Sequence, residues 1–265
     1  MPALDDHALA ADLAERAGRL LVQLRAQGGD PAALRNAGDR QSHEFLMAEL
    51  ARARPGDAVL SEEGVDDKAR LSADRVWIVD PLDGTREFGE PGRVDWAVHV
   101  ALWARDTPAG PAAPAGSGDG DLIAGAVALP AQGRVLSTAA PTPLTGPDAH
   151  HPLRMVVSRS RASDLVKSVA ALIKADLVPW GSAGAKVATV VLGENDVYLH
   201  SGGFYEWDTA APVAVARQHG FHVSRIDGSP VLYNQEDPLL PDILVCRPAI
   251  APVLLDAIRE ATHAI

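Results

Sequence analysis

Residues 75–85 read RVWIVDPLDGT. The apolar run from Val76 reads as a buried strand. It ends in two aspartates, Asp80 and Asp83, with Gly84 and Thr85 directly behind them. Two carboxylates aimed at one spot repel unless something positive lies between them. Mg2+ suits the pair, because it is hard, prefers oxygen and commonly brings phosphate with it. Gly-Thr at a helix start presents free backbone N–H groups and a positive dipole end, an anion site beside the metal. Metal and amides on one phosphate are what phosphoryl transfer needs. The stretch therefore points to metal-dependent phosphatase chemistry.

Composition narrows the surroundings. The chain has 265 residues, 47% hydrophobic and 22% charged, enough for one large domain or two small ones. A net charge of −11 argues against a nucleic acid polymer as partner. A small phosphorylated metabolite remains open, since metal ions reverse the local potential. One cysteine, Cys246, allows no intrachain disulfide and fits a reducing compartment. Asp5, Asp6, Asp12 and Glu15 do not suit a secretory signal. No apolar run approaches the ~20 residues that span a membrane. A soluble, cytoplasmic protein is expected.

Working outward, helices are expected over residues 4–27 and from Asp39 to Ala53, with Gly28-Gly29 between them. Val59–Ser61 reads as a short strand leading into Glu62-Glu63, and Asp95–Trp103 as another. Residues 104–121 are rich in Pro, Gly and Ala and read as a surface loop, with a hairpin (122–129 and 134–138) after it. From residue 154 strand and helix alternate: a strand at 154–158, helices at 162–175 and 183–192, a strand at 196–200, a helix at 209–219, a strand at 243–246 and a helix at 249–263. This predicts an α+β half over residues 1–150 that carries Glu62 and DPLDGT. An α/β half over residues 151–265 would carry Asp208 and the loops that set specificity.

Four acidic clusters stand out: Asp39, Glu62-Glu63, Asp80/Asp83 and Asp208. Each alone has an ordinary reading. Asp39, Asp83 and Asp208 suit helix or turn caps, and Glu62-Glu63 a solvated loop. Together they are harder to dismiss, because Asp80 and Asp208 lie at element ends beside apolar bulk with no cation next to them in sequence. Divalent ions would supply the missing partners. A covalent aspartyl-phosphate route needs a nucleophile two residues before Asp83, where Pro81 stands. An activated water is then the expected nucleophile, with no phospho-enzyme.

Ser61-Glu62-Glu63-Gly64, WIVDPLDGT at 77–85 and Trp207-Asp208-Thr209-Ala210-Ala211, in that order, resemble the inositol monophosphatase superfamily of lithium-sensitive, Mg2+-dependent phosphatases. The resemblance implies a layered αβαβα sandwich and a homodimer. It also implies two to three Mg2+ ions: Glu62, Asp80 and the Leu82 carbonyl holding one, Asp80, Asp83 and Asp208 a second, and a weaker third near Glu62. Asp39 and Thr85 would activate the attacking water, with Glu62 a third catalytic residue, and the Gly84 and Thr85 amides would hold the phosphate, with Asp208 also contacting the substrate. Glu63 has no clear role beside them.

SRSR at 158–161, GSAGAK at 181–186 and EWDTAAPVAVARQHG at 206–220 resemble the bacterial CysQ-type 3′-phosphoadenosine 5′-phosphate phosphatases. That implies release of AMP and phosphate in sulfate assimilation, with fructose 1,6-bisphosphate and inositol phosphates as further substrates. Inositol-selective members place a Glu seven residues before the Trp-Asp aspartate; Ser201 stands there. An inositol-1-phosphate phosphatase is the alternative, and a non-catalytic metabolite sensor a remote one. Ser158, Arg159, Arg161, Ser182, Lys186 and His200 are the candidates for substrate contacts, the cations for a second phosphate.

Overall fold

In a computed structural model, the structure describes residues 4–107, 120–141, 150–160 and 162–264. The middle of the Pro/Gly-rich stretch, residues 108–119, and Arg161 lie outside the described residues. Two helices come first, α1 (Asp6–Ala26) and α2 (Pro31–Ala53). Each opens on an aspartate whose side chain accepts an amide of the first turn, Asp5 from Ala8 and Asp30 from Ala33. The second helix thus starts at Pro31, where proline's fixed φ suits the first turn, and not at Asp39 as expected. Gly38 marks close packing: a Cβ there would lie 2.8 Å from the Phe88 ring and 2.9 Å from Leu82. Asp39 is therefore mid-helix, and its capping reading is wrong.

The first sheet has the order β1-β2-β3-β4-β5, formed by Ala58–Ser61, Arg75–Asp83, Ala97–Arg105, Gly120–Leu129 and Arg134–Ser137. Its first pair is parallel and the others antiparallel. A short helix, α3 (Thr85–Gly89), follows β2 directly. In the second sheet the strands are β6 (Arg154–Ser158), β7 (Asp176–Trp180), β8 (Val197–Tyr205), β9 (His222–Ser224) and β10 (Leu239–Cys246), in the order β7-β6-β8-β10-β9. Helices α4 (Asp164–Ile173), α5 (Ala183–Val191), α6 (Glu206–Gln218) and α7 (Ala251–Ala264) complete the chain.

Three apolar cores stack the layers. α1 and α2 pack through Leu13, Leu21 and Leu46 on the Trp77/Val79 face of the first sheet. The opposite face, with Val76 and Ile78, meets α5 and α6, which also pack against Tyr198, Ile243 and Val245 of the second sheet. α4 and α7 cover the far side of the second sheet through Val166, Val169, Leu254 and Ile258. The result is the expected αβαβα sandwich. Its central layer needs small residues, since a Cβ at Gly125 of β4 would sit 2.7 Å from Ala214 of α6.

Candidate active site

β2 is paired on both sides, yet it contains Pro81. Its pairing with β3 explains how. Asp80 faces His99 and Asp83 faces Ala97, so one extra residue is inserted on β2 between them. In a regular strand, residues three apart point to opposite faces. The bulge restores parity and tolerates the proline, so both carboxylates line the same cleft. β1 runs parallel to β2 and ends at Ser61, with the Glu62 amide 3.4 Å from the Val79 carbonyl. Glu62 is thereby delivered beside Asp80. Asp208 comes from the first turn of α6, where its Oδ2 accepts the Tyr205 amide over 2.6 Å. It caps its helix and lines the cleft.

The cleft has a volume of about 650 Å³ and its acids crowd one another. Asp80 is 1% exposed and its carboxyl is held well above the ordinary range, by burial first and then by the charges of Glu62, Asp83 and Asp208. Glu62 is exposed as a residue, yet loss of solvation around its carboxyl pushes it up to about 7, against a stabilising hydrogen bond from Asp80. Among the described residues, the only basic side chain within 4.0 Å of Asp80 or Asp83 is His99, and burial lowers its pKa, so it does not offset their charge. Oxygen donors that repel one another in a sheltered cleft fit a hard divalent cation. Asp80, Asp83 and His99 each offer a ligand atom within 4.8 Å of the others.

Asp39 meets Thr85 beside the cleft, with Thr85 Oγ1 3.1 Å from Asp39 Oδ1 and 2.9 Å from the Leu82 carbonyl. Burial pushes Asp39 up to about 6, against the hydrogen bond from Thr85. Gly84 takes φ +84°, which glycine adopts freely, and α3 behind it is a short five-residue helix. Glu63 is exposed to solvent.

The candidates for substrate contacts line the same cleft but are differently engaged. Arg159 is clamped between Glu87 (3.0 and 2.5 Å) and Glu90 (3.1 and 3.2 Å), which raise its pKa further. Its charge is therefore already matched. Lys186 is buried, donates to the Ser182 carbonyl over 2.6 Å and lies 5.4 Å above the Tyr198 ring. Ser182 turns its hydroxyl onto Asp83 (2.5 Å). Ser158 lines the wall beside Arg159, and His200 stacks on Phe204 at 4.8 Å. Ser201, where a sugar-gripping Glu was sought, contacts Ser163 Oγ at 2.7 Å.

Sequence reasoning missed His99, whose alternating β3 setting resembles any core residue. It also missed Glu87 and Glu90, which read as the polar side of a turn, and Glu206. Glu206 is buried at the head of α6, accepts the Asn234 and Gln235 amides (2.7 and 2.8 Å) and is raised to about 7 by burial.

A layered αβαβα fold with an acidic cleft at the end of its central strand defines a phosphatase class. The inositol monophosphatase family matches residues 8–263, so the chain belongs to that family of phosphatases. A "3'-phosphoadenosine 5'-phosphate phosphatase" of Mycobacterium leprae (strain TN) is 50% identical over 264 residues, covering 97% of this chain and 94% of the relative. Among solved structures, CysQ from Bacteroides thetaiotaomicron has TM-score 0.72 at 27% identity, covering 91% of this chain and 96% of that one. Inositol monophosphatase-II from Staphylococcus aureus has TM-score 0.75 at 19% identity, covering 94% and 93%, a likeness of fold. Among the described residues no helix is long and apolar enough to cross a membrane.

Proposed function

We propose that this chain is a Mg2+-dependent phosphomonoesterase that converts 3′-phosphoadenosine 5′-phosphate to AMP and phosphate. The convergence of Glu62, Asp80, Asp83 and Asp208 on one cleft beside the Asp39–Thr85 pair carries the chemical part. Identity of 50% over nearly the whole chain with the mycobacterial relative carries the substrate.

Glu62, Asp80 and the Leu82 carbonyl are assigned to one ion and Asp80, Asp83 and Asp208 to a second, with a third near Glu62. Bound divalent ions supply Lewis acidity to the phosphate and lower the pKa of water at neutral pH. The chain's own part is orientation. Thr85, held between Asp39 and Leu82, aligns a water, and Asp39 takes its proton. The Gly84 and Thr85 amides face the transferred phosphate. Lys186, with Ser158 beside it on the wall, is assigned to the second phosphate. Arg159, matched by Glu87 and Glu90, supports that wall. Ser201 in place of a Glu supports a nucleotide over an inositol phosphate. A homodimer belongs to the same proposal.

The test is phosphate release with Mg2+ present, comparing kcat/KM for 3′-phosphoadenosine 5′-phosphate, fructose 1,6-bisphosphate and inositol 1-phosphate. The nucleotide should lead. A lead for inositol 1-phosphate would replace this substrate with the alternative, and no release from any would remove the activity.

A further inference from the structure

Asp83 belongs to the first sheet, yet its carboxylate is gripped from the second half of the chain. Ser182 Oγ lies 2.5 Å from Asp83 Oδ2, and the Gly184 amide donates to the same oxygen over 2.8 Å. The Ser182 hydroxyl also accepts the Ala185 amide (2.9 Å), so its own proton is committed to Asp83. The start of α5 is thus aimed at one carboxylate oxygen. Ser182 adopts φ +49° to do this, a conformation uncommon outside glycine.

His99 closes the other side. Fully buried, it has Nε2 3.3 Å from Asp83 Oδ2, and its Nδ1 donates to the Trp207 carbonyl at 3.1 Å. With its ring proton on Nδ1 and its pKa lowered by burial, the imidazole packs against Asp83 without donating to it. A Cβ at residue 184 would fall 1.9 Å from His99 Nε2, so only glycine lets ring and turn close together. Asp83 Oδ1 has no hydrogen bond among the described residues, and Asp83 lines the cleft.

We propose that Ser182 is a positioning residue for the metal site: with the Gly184 amide it holds the inner oxygen of Asp83 so that its outer oxygen is presented to the ion. Ser182 then acts through Asp83 instead of touching substrate, the role expected from sequence. The inference rests on reading Asp83 as a metal ligand. Partners behind a ligand orient it and raise its affinity, and losing one costs ~10–100-fold in metal binding.

The test is Ser182→Gly. Glycine tolerates the positive φ and serves as a helix N-cap, so only the hydroxyl is lost. Mn2+ is titrated into the metal-free protein and followed by electron paramagnetic resonance, with no substrate present. The Mn2+ Kd should rise ~10-fold or more, with the melting temperature in chelator unchanged. KM for 3′-phosphoadenosine 5′-phosphate at saturating Mn2+ should hold. Unchanged Mn2+ affinity overturns the proposal, as does a raised KM with affinity intact, which returns Ser182 to the substrate. A shifted affinity in a protein that does not hydrolyse the nucleotide leaves this inference standing while the substrate reading falls. A parent chain that binds no Mn2+ ends both.

Discussion

Thr85 Oγ1 lies 3.1 Å from Asp39 Oδ1, joining the first turn after β2 to the middle of α2. Burial raises Asp39 to about 6, close to the range where a carboxylate accepts a proton efficiently near neutrality. Asp39→Asn should lower kcat by ~10²–10³-fold and leave Mn2+ affinity and KM near the parent values. It should also abolish the acid-side fall in kcat. Steady-state rates across pH check this, and a variant with parental kcat removes Asp39 from proton transfer.

Asp80 gives a sharper contrast. It is enclosed with three acids around it, so its charge harms the metal-free fold and serves the metal-bound one. Asp80→Asn keeps the shape and removes the charge. Activity at saturating Mg2+ should fall by at least ~10³-fold. In chelator at pH 8 the variant should melt higher than the parent, each ~1 kcal/mol of relief adding ~2–4 °C in a chain of this size. A variant that is both less active and less stable without metal would show Asp80 to be structural.

Loss of solvation at three acids shapes the pH dependence of the metal-free protein. Asp39 is raised from 3.8 to about 6, and Glu62 and Glu206 from 4.5 to about 7. Between those limits the folded state binds more protons than the unfolded one, so unfolding free energy falls as pH rises. Melting temperature in chelator should therefore decline from pH 4 to pH 7, beyond which these groups add nothing further. Under the proposed function Mg2+ would bind the folded state alone, and it should restore stability most at the alkaline end. Parallel melting curves with chelator and with Mg2+ read both effects.

Lys186 and Arg159 should separate in their effects. Lys186→Ala removes the cation assigned to the second phosphate and should raise KM for 3′-phosphoadenosine 5′-phosphate ~10-fold, a charged hydrogen bond contributing ~1.5–3 kcal/mol. Inositol 1-phosphate, with no second phosphate, should be little affected. Arg159→Ala should shift KM less, because Glu87 and Glu90 already hold its charge. Its larger effect should be on the wall itself, read as a lower melting temperature. Equal KM changes for both substrates in Lys186→Ala would remove it from phosphate recognition.

What the sequence revealed divides along physical lines. The Val76–Val79 run and its trailing aspartates were legible because burial, charge and spacing all lie within one short stretch. The start of α2 was misplaced because Gly38 looks like a boundary, and only the packed structure shows Phe88 and Leu82 against it. β7 escaped notice because Asp176–Trp180 is a partly exposed edge strand with little burial to leave a pattern. The bulge that turns Asp80 and Asp83 to one side depends on pairing with β3, which no local motif encodes. Arg159 reads as a spare cation until Glu87, far away in the chain, is found beside it. His99 is legible only once α5 and α6 have been folded onto its strand.

The acids of the cleft also enter the world at different times. Glu62, Asp80 and Asp83 are close in the chain, while Asp208 follows much later. At ~5–20 residues per second, translation separates them by on the order of ten seconds. During that interval the first sheet has been made, but neither α5 nor α6 exists to cover its inner face or to hold Asp83. The nascent chain carries three of the acids without the fourth. On the assignment proposed above, the second ion's set of ligands is complete only after Asp208 has left the ribosome, so filling that site would mark a chain whose central layer has closed.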